Sequence, residues 1–362
     1  MEIILQLLIT LCFPFLATQI HKKVSWLSPI IASYAIGILI GNLWPEIIDE
    51  HWSMQITGIA VLFSIPMLVF GGDLSELKKQ SGNMLKAFSI AVIATLVGTL
   101  SIFLIFSPLK NIGSISAMIT GVYTGGTANL NAIGFAIEAP EELFIKLNAY
   151  DTIFSGIYLL FLFSSATKAI SKWLGNNDYH EKTAFEITGK VSAKEIALTH
   201  LYTIAVIGIT VGIVFLIFGE LNSAALILIL SILGFAVGFS KPVKKLTDSH
   251  TVADYWLQVF AIAMGSMAQW NKMNWEDLSL FQIVGCVFAI MLIVHYAMSK
   301  LLKVDAPTSL IASTAAVFGP PFIGPVAKTI KAEKLIVSGI AVGIIGNILG
   351  TYLGMVIFYL LR

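Results

Sequence analysis

The polar residues of this chain are grouped into short stretches that separate long apolar runs. Apolar runs of membrane-spanning length predict helices at residues 2–20, 26–44, 55–75, 86–109, 143–170, 196–218, 221–240, 252–270, 278–301 and 333–361. A bilayer core needs about 20 apolar residues per spanning helix. The pattern therefore predicts an all-α polytopic membrane protein.

Two further apolar segments, 112–138 and 306–331, are interrupted near their centres. The first contains TGGTANLNAIG (124–134) and the second contains FGPPFIGP (318–325). Non-helical backbone at membrane depth is tolerated only where protein or a water-filled cavity surrounds it. We therefore expect both segments to be re-entrant hairpins whose glycine and proline tips approach each other near the midplane.

The two interrupted segments also correspond in sequence. An offset of 194 aligns residues 1–168 with 195–362 without a gap, and places Gly125 and Gly126 on Gly319 and Pro320. Identities are sparse, but both interruptions fall in register. This pattern indicates an internal duplication, which is common in secondary transporters.

The basic residues distinguish two topologies. If the interrupted segments crossed the membrane, the 22 Lys and Arg would divide 10 to 12 between its sides. If they are re-entrant, one side holds four of the 22 (Lys110, Lys146, Lys272 and Arg362) and the other holds 18. The second division satisfies the positive-inside rule. It predicts ten transmembrane helices plus two hairpins, with both termini outside.

Five helices per half is an odd number, so the second half is expected to be inverted relative to the first. The predicted organisation is a first repeat (1–170, with hairpin 112–138), a cytoplasmic linker (171–195) and a second repeat (196–362, with hairpin 306–331). The predicted location is the plasma membrane, which in a bacterium is the inner membrane.

Composition narrows the function classes. Hydrophobic residues make up 57% of the chain, charged residues 12%, and the mean hydropathy is +0.87, so no segment remains for a soluble catalytic domain. The single arginine, Arg362, excludes an arginine clamp on a di- or tricarboxylate. Cys12 and Cys286 stand alone in apolar runs, which argues against a zinc site or disulfide framework. The expected partners are lipid and a small solute, not nucleic acid.

Broken helices provide the candidate binding chemistry. Backbone N–H groups at a half-helix start suit a carboxylate, and C=O groups at a half-helix end suit a sodium ion. A sodium ion is therefore the one cofactor considered. The candidate residues are Thr124, Gly125, Gly126, Thr127, Asn129 and Asn131 at the first tip, and Ser313, Thr314, Gly319, Pro320 and Pro321 at the second. Simple helix packing is the alternative explanation for the glycines.

Asp151, in the sequence NAYDT, adds an ionisable group about 12 Å along its predicted helix. A carboxylate at that depth indicates an ion or proton site, and the alternative is a neutral, hydrogen-bonded structural residue. The duplication places Ile345 opposite Asp151, followed by Gly346 and Asn347. Asn347 is therefore also a candidate. Gly346, Gly350 and Gly354 recur every four residues and predict a packing face for a hairpin.

GGTANLNAIG, NAYDTIFSGIYL, FGPPFIGPVAK and GTYLG together resemble the bacterial membrane family grouped as domain of unknown function 819. The likeness covers essentially the full chain. More distantly, the layout is similar to sodium/glutamate symporters and sodium-coupled citrate carriers. That resemblance implies inverted five-helix repeats, a dimer, and binding of solute and sodium between hairpin tips. Only Gly125, Gly126, Gly319 and Pro320 match at the residue level, and the absent arginine departs from the citrate carriers.

The function predicted from these observations is secondary active transport, sodium-coupled, of a small polar solute such as an amino acid, short peptide or monocarboxylate. Proton coupling through Asp151 is the close variant, and an ion channel is a second class. An intramembrane aspartyl protease fits poorly because Gly71-Gly72-Asp73 lacks the G-x-G-D pattern of those enzymes.

Overall fold

The computed structural model describes residues 2–24, 28–70, 74–106, 111–175, 192–246, 248–269 and 278–361, and these contain helices and no strand. The helices are α1 (Glu2–Lys23), α2 (Pro29–Leu43), α3 (Glu50–Val69), α4 (Leu74–Phe106), α5 (Ile112–Gly125), α6 (Thr127–Ala136), α7 (Glu141–Phe163), α8 (Thr167–Leu174), α9 (Ala193–Phe218), α10 (Ser223–Gly238), α11 (Ser249–Ser266), α12 (Leu278–Leu301), α13 (Ala306–Phe318), α14 (Ile323–Thr329) and α15 (Ile336–Leu361). Lys110, Lys272 and Arg362, used in the topology argument, lie outside the described residues.

Side-chain caps fix several helix starts. Asp49 accepts a hydrogen bond from the Trp52 amide, so α3 begins five residues before the apolar run at 55. Ser28 caps α2 in the same way, and Asp305 caps α13. Each cap satisfies an N–H group that has no partner inside its helix.

Six of the described helices are long and apolar enough to span a membrane, and α7 with α8 makes a seventh if the bent pair counts as one span. The protein is thus a polytopic helical membrane protein. The helices α2, α10 and α13 are apolar but shorter. The 15 residues of α2 extend about 22 Å, less than the roughly 30 Å of a bilayer core.

The predicted continuous helix 143–170 is wrong. The helix α7 ends at Phe163, and α8 departs from it at 72°. The Ser164 hydroxyl donates to the Phe161 carbonyl and accepts from the Ala166 amide, which stabilises a turn that hydropathy does not reveal. Helices also extend into both ends of the predicted linker, whose residues 176–191 lie outside the described ones.

The helix order of the first half recurs in the second. Ile112 and Ala306, the first residues of α5 and α13, lie 194 positions apart, as do Pro29 and Ser223 at the starts of α2 and α10. The order α1–α7 corresponds to α9–α15, with α8 between them. These two helix starts therefore repeat at the offset that aligns the two sequence halves, while the starts of α3 and α11 lie 199 positions apart and those of α4 and α12 lie 204 apart.

Packing divides the helices differently from the sequence. One group, the six-helix bundle, comprises α1–α3 and α9–α11; the other, the hairpin bundle, comprises α4–α8 and α12–α15. Phe63 of α3 stacks on Trp256 of α11 within the six-helix bundle, with ring centroids 4.4 Å apart. Within the hairpin bundle, α4 packs extensively on α12 and α5 on α15. Each bundle therefore contains helices from both sequence halves.

The predicted glycine face of α15 is confirmed. Gly346, Gly350 and Gly354 lie against the backbone carbonyls of Thr124, Gly121 and Ala117, respectively. These carbonyls lie along one side of α5, so the two helices approach backbone to backbone. Such contact requires residues without side chains, as in other membrane-helix interfaces.

Replacing Gly350 by alanine should disrupt this interface. The new Cβ would lie 3.0 Å from both the Gly121 carbonyl oxygen and the Asn129 Cγ. We expect Gly350→Ala to lower stability by about 1–3 kcal/mol, as overpacking does, measured as a fall in the midpoint of thermal unfolding in detergent. Gly212→Ala on α9 is the matched control, because nothing lies within 4 Å of its Cβ and it should be neutral or stabilising. Equal effects would contradict the packing argument.

Candidate functional site

Two helix breaks form the centre of the candidate site. The helix α5 ends at Gly125, and α6 then folds back along it, so that Ile133 faces Gly121 and Met118 faces Gly134. In the second half, α13 ends at Phe318 and a short 3-10 turn (Pro320–Phe322) leads into α14. Both breaks occur where the sequence pattern predicts them.

The two breaks touch each other. A Cβ placed on Gly126 would lie 3.2 Å from the Phe318 carbonyl, and one placed on Gly319 would lie 3.2 Å from the Gly125 carbonyl oxygen. Gly126 has φ 93° and Gly319 has φ 75°, a region that favours glycine. Both glycines are buried. The C-terminal ends of α5 and α13 therefore meet inside the protein.

Carbonyl groups predominate where the breaks meet. Each C-terminal helix end carries partial negative charge. The exposed Thr127 and Ala128 stand at the start of α6, where the first N–H groups have no partner within the helix. Pro320 and Pro321 remove the corresponding donors from the second break. The junction therefore offers more acceptors than donors and favours a cation.

Asp151 lies next to the first break. Its carboxylate accepts hydrogen bonds from Thr127 Oγ1 at 3.2 Å and from Ser155 Oγ at 2.9 Å. The Tyr123 hydroxyl also faces this carboxylate, at a geometry outside ordinary hydrogen-bond limits. Asp151 is 3% exposed. No Lys, Arg or His in the described part of the chain pairs with it.

Asn129, a candidate ligand in the sequence, packs between helices. Its Nδ2 donates to the Gly346 carbonyl at 3.4 Å, and its Oδ1 accepts from Thr351 Oγ1 at 2.8 Å. Both partners belong to α15, and Asn129 is 3% exposed. The structure thus places the Asn129 amide in the attachment of α6 to α15.

Three other polar candidates have unused hydrogen-bonding capacity. The buried Oγ1 of Thr124 and Oδ1 of Asn131 have no partner among the described residues. Asn347 lies beside the second break, with its Oδ1 3.5 Å from the position of a Cβ on Gly319. These groups are available to a polar solute or water.

Ser313 lies in a hydroxyl cluster behind the second break, away from Asp151. Its Oγ is 2.7 Å from the hydroxyl of Tyr158 and 3.3 Å from that of Tyr296, and the two tyrosine oxygens are 2.6 Å apart. The Tyr158 ring stacks on Phe318. Thr314 donates to the Leu310 carbonyl within α13.

Tyr158 and Tyr296 are absent from the candidates that the sequence predicts. A signal existed for Tyr158, because GIYL (156–159) aligns with GTYL (350–353) at the repeat offset. The aligned residue, Tyr352, is 70% exposed, so the two aligned tyrosines lie in different environments. No sequence pattern indicates Tyr296.

The structure brings Gly125, Gly126, Gly319 and Asn347 together at the junction, with Thr127 and Asp151 adjacent. Pro320 packs against Gly343 of α15, while Pro321 is half-buried. Lys146, on the same helix as Asp151, forms an ion pair with Glu142 at 2.6 Å.

A double-mutant cycle tests the packing role of Asn129. Asn129→Ala removes both bonds to α15, and Thr351→Val removes one partner, so each should destabilise the protein by about 1–3 kcal/mol. The double variant should lose less than the sum, because the shared bond is removed only once. Thermal or denaturant unfolding of the three variants measures this. Strict additivity would contradict the direct bond.

Comparisons with known proteins agree with this all-helical membrane architecture. The family model described as "Protein of unknown function (DUF819)" matches residues 6–362. The chain is also 23% identical over 360 residues to "Uncharacterized membrane protein YjcL" of Bacillus subtilis (strain 168), covering 93% of this chain and 90% of that protein. This chain therefore belongs to the DUF819 family of membrane proteins.

Proposed function

We propose that the protein is a secondary active transporter, sodium-coupled, that moves a small polar solute by alternating access. The observation that carries the proposal is the contact between two broken helices, Gly126 against Phe318 and Gly319, inside the hairpin bundle. Discontinuous helices whose carbonyl ends and N–H ends flank a site are the usual means of binding ions and solutes in secondary transporters.

The proposed topology has ten transmembrane helices, two re-entrant hairpins and two inverted repeats, with both termini outside. Reciprocal packing supports it. The helix α3 contacts α9 and α10 of the other half, and its counterpart α11 contacts α1 and α2. Such an exchange is expected of two repeats related by a two-fold axis.

Transport would occur by movement of the hairpin bundle against the six-helix bundle. Contacts between the bundles include the packing of α10 on α15 and of Gly324 of α14 on Ile65 and Leu68 of α3. Lys328 of α14 also pairs with Asp254 of α11 at 3.3 Å. The helices pack more extensively within each bundle than between the bundles, which favours rigid-body motion over distortion of either bundle.

The solute class follows from the groups that remain available. Thr124, Asn131 and Asn347 offer hydroxyl and amide groups, and the start of α6 offers N–H donors. These groups suit an amino acid, short peptide or monocarboxylate. The proposal is for a carrier and not an enzyme, and includes a homodimer, as the distant resemblance implies.

Proton coupling is the second candidate. The observation that favours it is the burial of Asp151 without a basic partner among the described residues, because such a carboxylate can take up a proton. An ion channel is less favoured, since it needs a continuous pore and here the two breaks differ in chemistry.

Uptake into proteoliposomes tests the proposed coupling. With a solute identified by thermal-shift screening, uptake should rise at least tenfold under an inward sodium gradient. Asp151→Asn should reduce uptake strongly whether the coupling ion is sodium or a proton. Sodium-independent uptake that is driven by a proton gradient and abolished by Asp151→Asn would establish the proton alternative. A steady single-channel current in planar bilayers would contradict a carrier.

Cross-linking tests the movement between bundles. The two native cysteines, Cys12 and Cys286, are first changed to serine. Leu68→Cys and Gly324→Cys then place one thiol on each side of the interface, because a Cβ at 324 would lie 3.8 Å from the Leu68 side chain. Cross-linking them should stop uptake, and reduction should restore it. Phe63→Cys with Trp256→Cys, joined by a short thiol reagent, is the control inside one bundle and should leave uptake intact. Full uptake across the locked interface would contradict the mechanism.

A further inference from the structure

We infer that Asp151, Thr127, Ser155 and Tyr123 form the binding site for a sodium ion. This inference rests on the proposed function and deepens it by naming the ligands of the coupling ion. The site joins three places in the hairpin bundle: the last turn of α5, the first residue of α6 and the middle of α7.

The first argument is charge. The Asp151 side chain receives one hydroxyl on each carboxylate oxygen, from Thr127 on Oδ2 and Ser155 on Oδ1. Two donors of this kind stabilise the ionised form against the opposing effect of burial. An ionised carboxylate buried away from water needs a counter-charge. Since no basic side chain in the described ranges pairs with it, a dissolved cation is the natural partner.

The second argument is an unpartnered oxygen. The Tyr123 hydroxyl is fully buried, faces Asp151, and has no hydrogen-bond partner among the residues described. A buried hydroxyl without a partner is unfavourable because it loses its hydrogen bonds to water. An ion bound between Tyr123 and Asp151 would be coordinated by that oxygen, and this contact would satisfy the buried hydroxyl.

Geometry and composition favour sodium. Sodium has nearly the radius of calcium, whose oxygen ligands lie at roughly 2.3–2.6 Å. The Thr127 and Asp151 oxygens, 3.2 Å apart, are close enough for both to contact an ion of that size. A single carboxylate with neutral hydroxyls suits a monovalent ion. In the part of the chain that the structure describes, no three His, Cys, Asp or Glu side chains gather as a multivalent metal would require.

Occupancy of this site would fix the first break. Thr127 is the first residue of α6, and its hydroxyl would join Asp151 of α7 in holding the ion. The backbone on either side of Gly126 would then be held in the conformation that meets Gly319. The ion thereby orders the part of the hairpin that the proposed solute contacts.

Sodium binding to the purified full-length protein tests the inference without measuring transport. Sodium chloride is titrated at constant ionic strength, with choline chloride or potassium chloride as replacement, and thermal unfolding is followed in detergent. We expect saturable stabilisation by sodium and not by potassium, since a bound ligand stabilises according to its occupancy. Asp151→Asn should abolish the shift. Thr127→Val should weaken sodium binding at least tenfold, about 1.4 kcal/mol.

Tyr123→Phe separates a ligand from a packing residue. The ring contact with Phe288, at 5.0 Å between centroids, is kept, so without sodium the variant should be as stable as the native protein or more so. In sodium it should bind at least tenfold more weakly. Thr152→Val is the matched control on α7, because its hydroxyl donates to the Asn148 carbonyl and not to Asp151, and its sodium response should be native.

Three results would overturn the site: no sodium-specific stabilisation of the native protein, a native sodium response in Asp151→Asn or Tyr123→Phe, or stabilisation by lowered pH in place of sodium. The proposed function fails separately. Sodium binding without any solute uptake would refute the transporter alone. Sodium-driven uptake combined with unchanged binding in Asp151→Asn would refute this site alone.

Discussion

Backbone polar groups that cannot reach water must find partners inside the protein, and this constraint governs the centre of the molecule. The helix α5 ends in a buried region, so its terminal carbonyls need donors other than the next helical turn. The Tyr123 carbonyl accepts a hydrogen bond from the Thr95 hydroxyl of α4. The break is stable because neighbouring helices satisfy groups that a lipid-exposed break would leave unpaired.

The same constraint explains why α15 lies so close to the first hairpin. The glycines of α15 let its backbone reach α5, and Asn129 then bonds to the Gly346 carbonyl and to Thr351. A larger residue at Gly346 or Gly350 would separate the helices and leave the Asn129 amide without partners. The last helix of the second half thus supports the break in the first half, which ties the two halves of the chain together.

Local signals in the sequence were enough to predict both breaks. Gly126 and Gly319 have positive φ, which glycine adopts readily, and prolines follow the second break; both residue types interrupt helices whatever surrounds them. The length of the apolar segments and their low content of charged residues likewise predicted a polytopic membrane protein. The bend after Phe163 was missed because it depends on Ser164 hydrogen bonds inside an apolar run.

Long-range partners account for the remaining differences. Asn129 bonds a residue 222 positions away, and Tyr158 reaches Ser313 across 155 positions. No local pattern reports which side chain fills a space between two distant helices. The bonds of Asn129 to α15 therefore leave no signal in the sequence, and neither does the position of Tyr158 and Tyr296 beside Ser313.

The unequal chemistry of the two halves has an electrical consequence. Ile345 aligns with Asp151 at the offset of 194, so only the first half carries an acidic group at this position. On the assignment of sodium to Asp151, the loaded site is neutral and the empty site carries one negative charge. A membrane potential of 100 mV acts on such a charge with about 2.3 kcal/mol when it crosses the full field. The voltage would therefore act mainly on the return of the empty carrier. Because Ile345 is uncharged, the aligned position of the second half adds no further charge to the empty site.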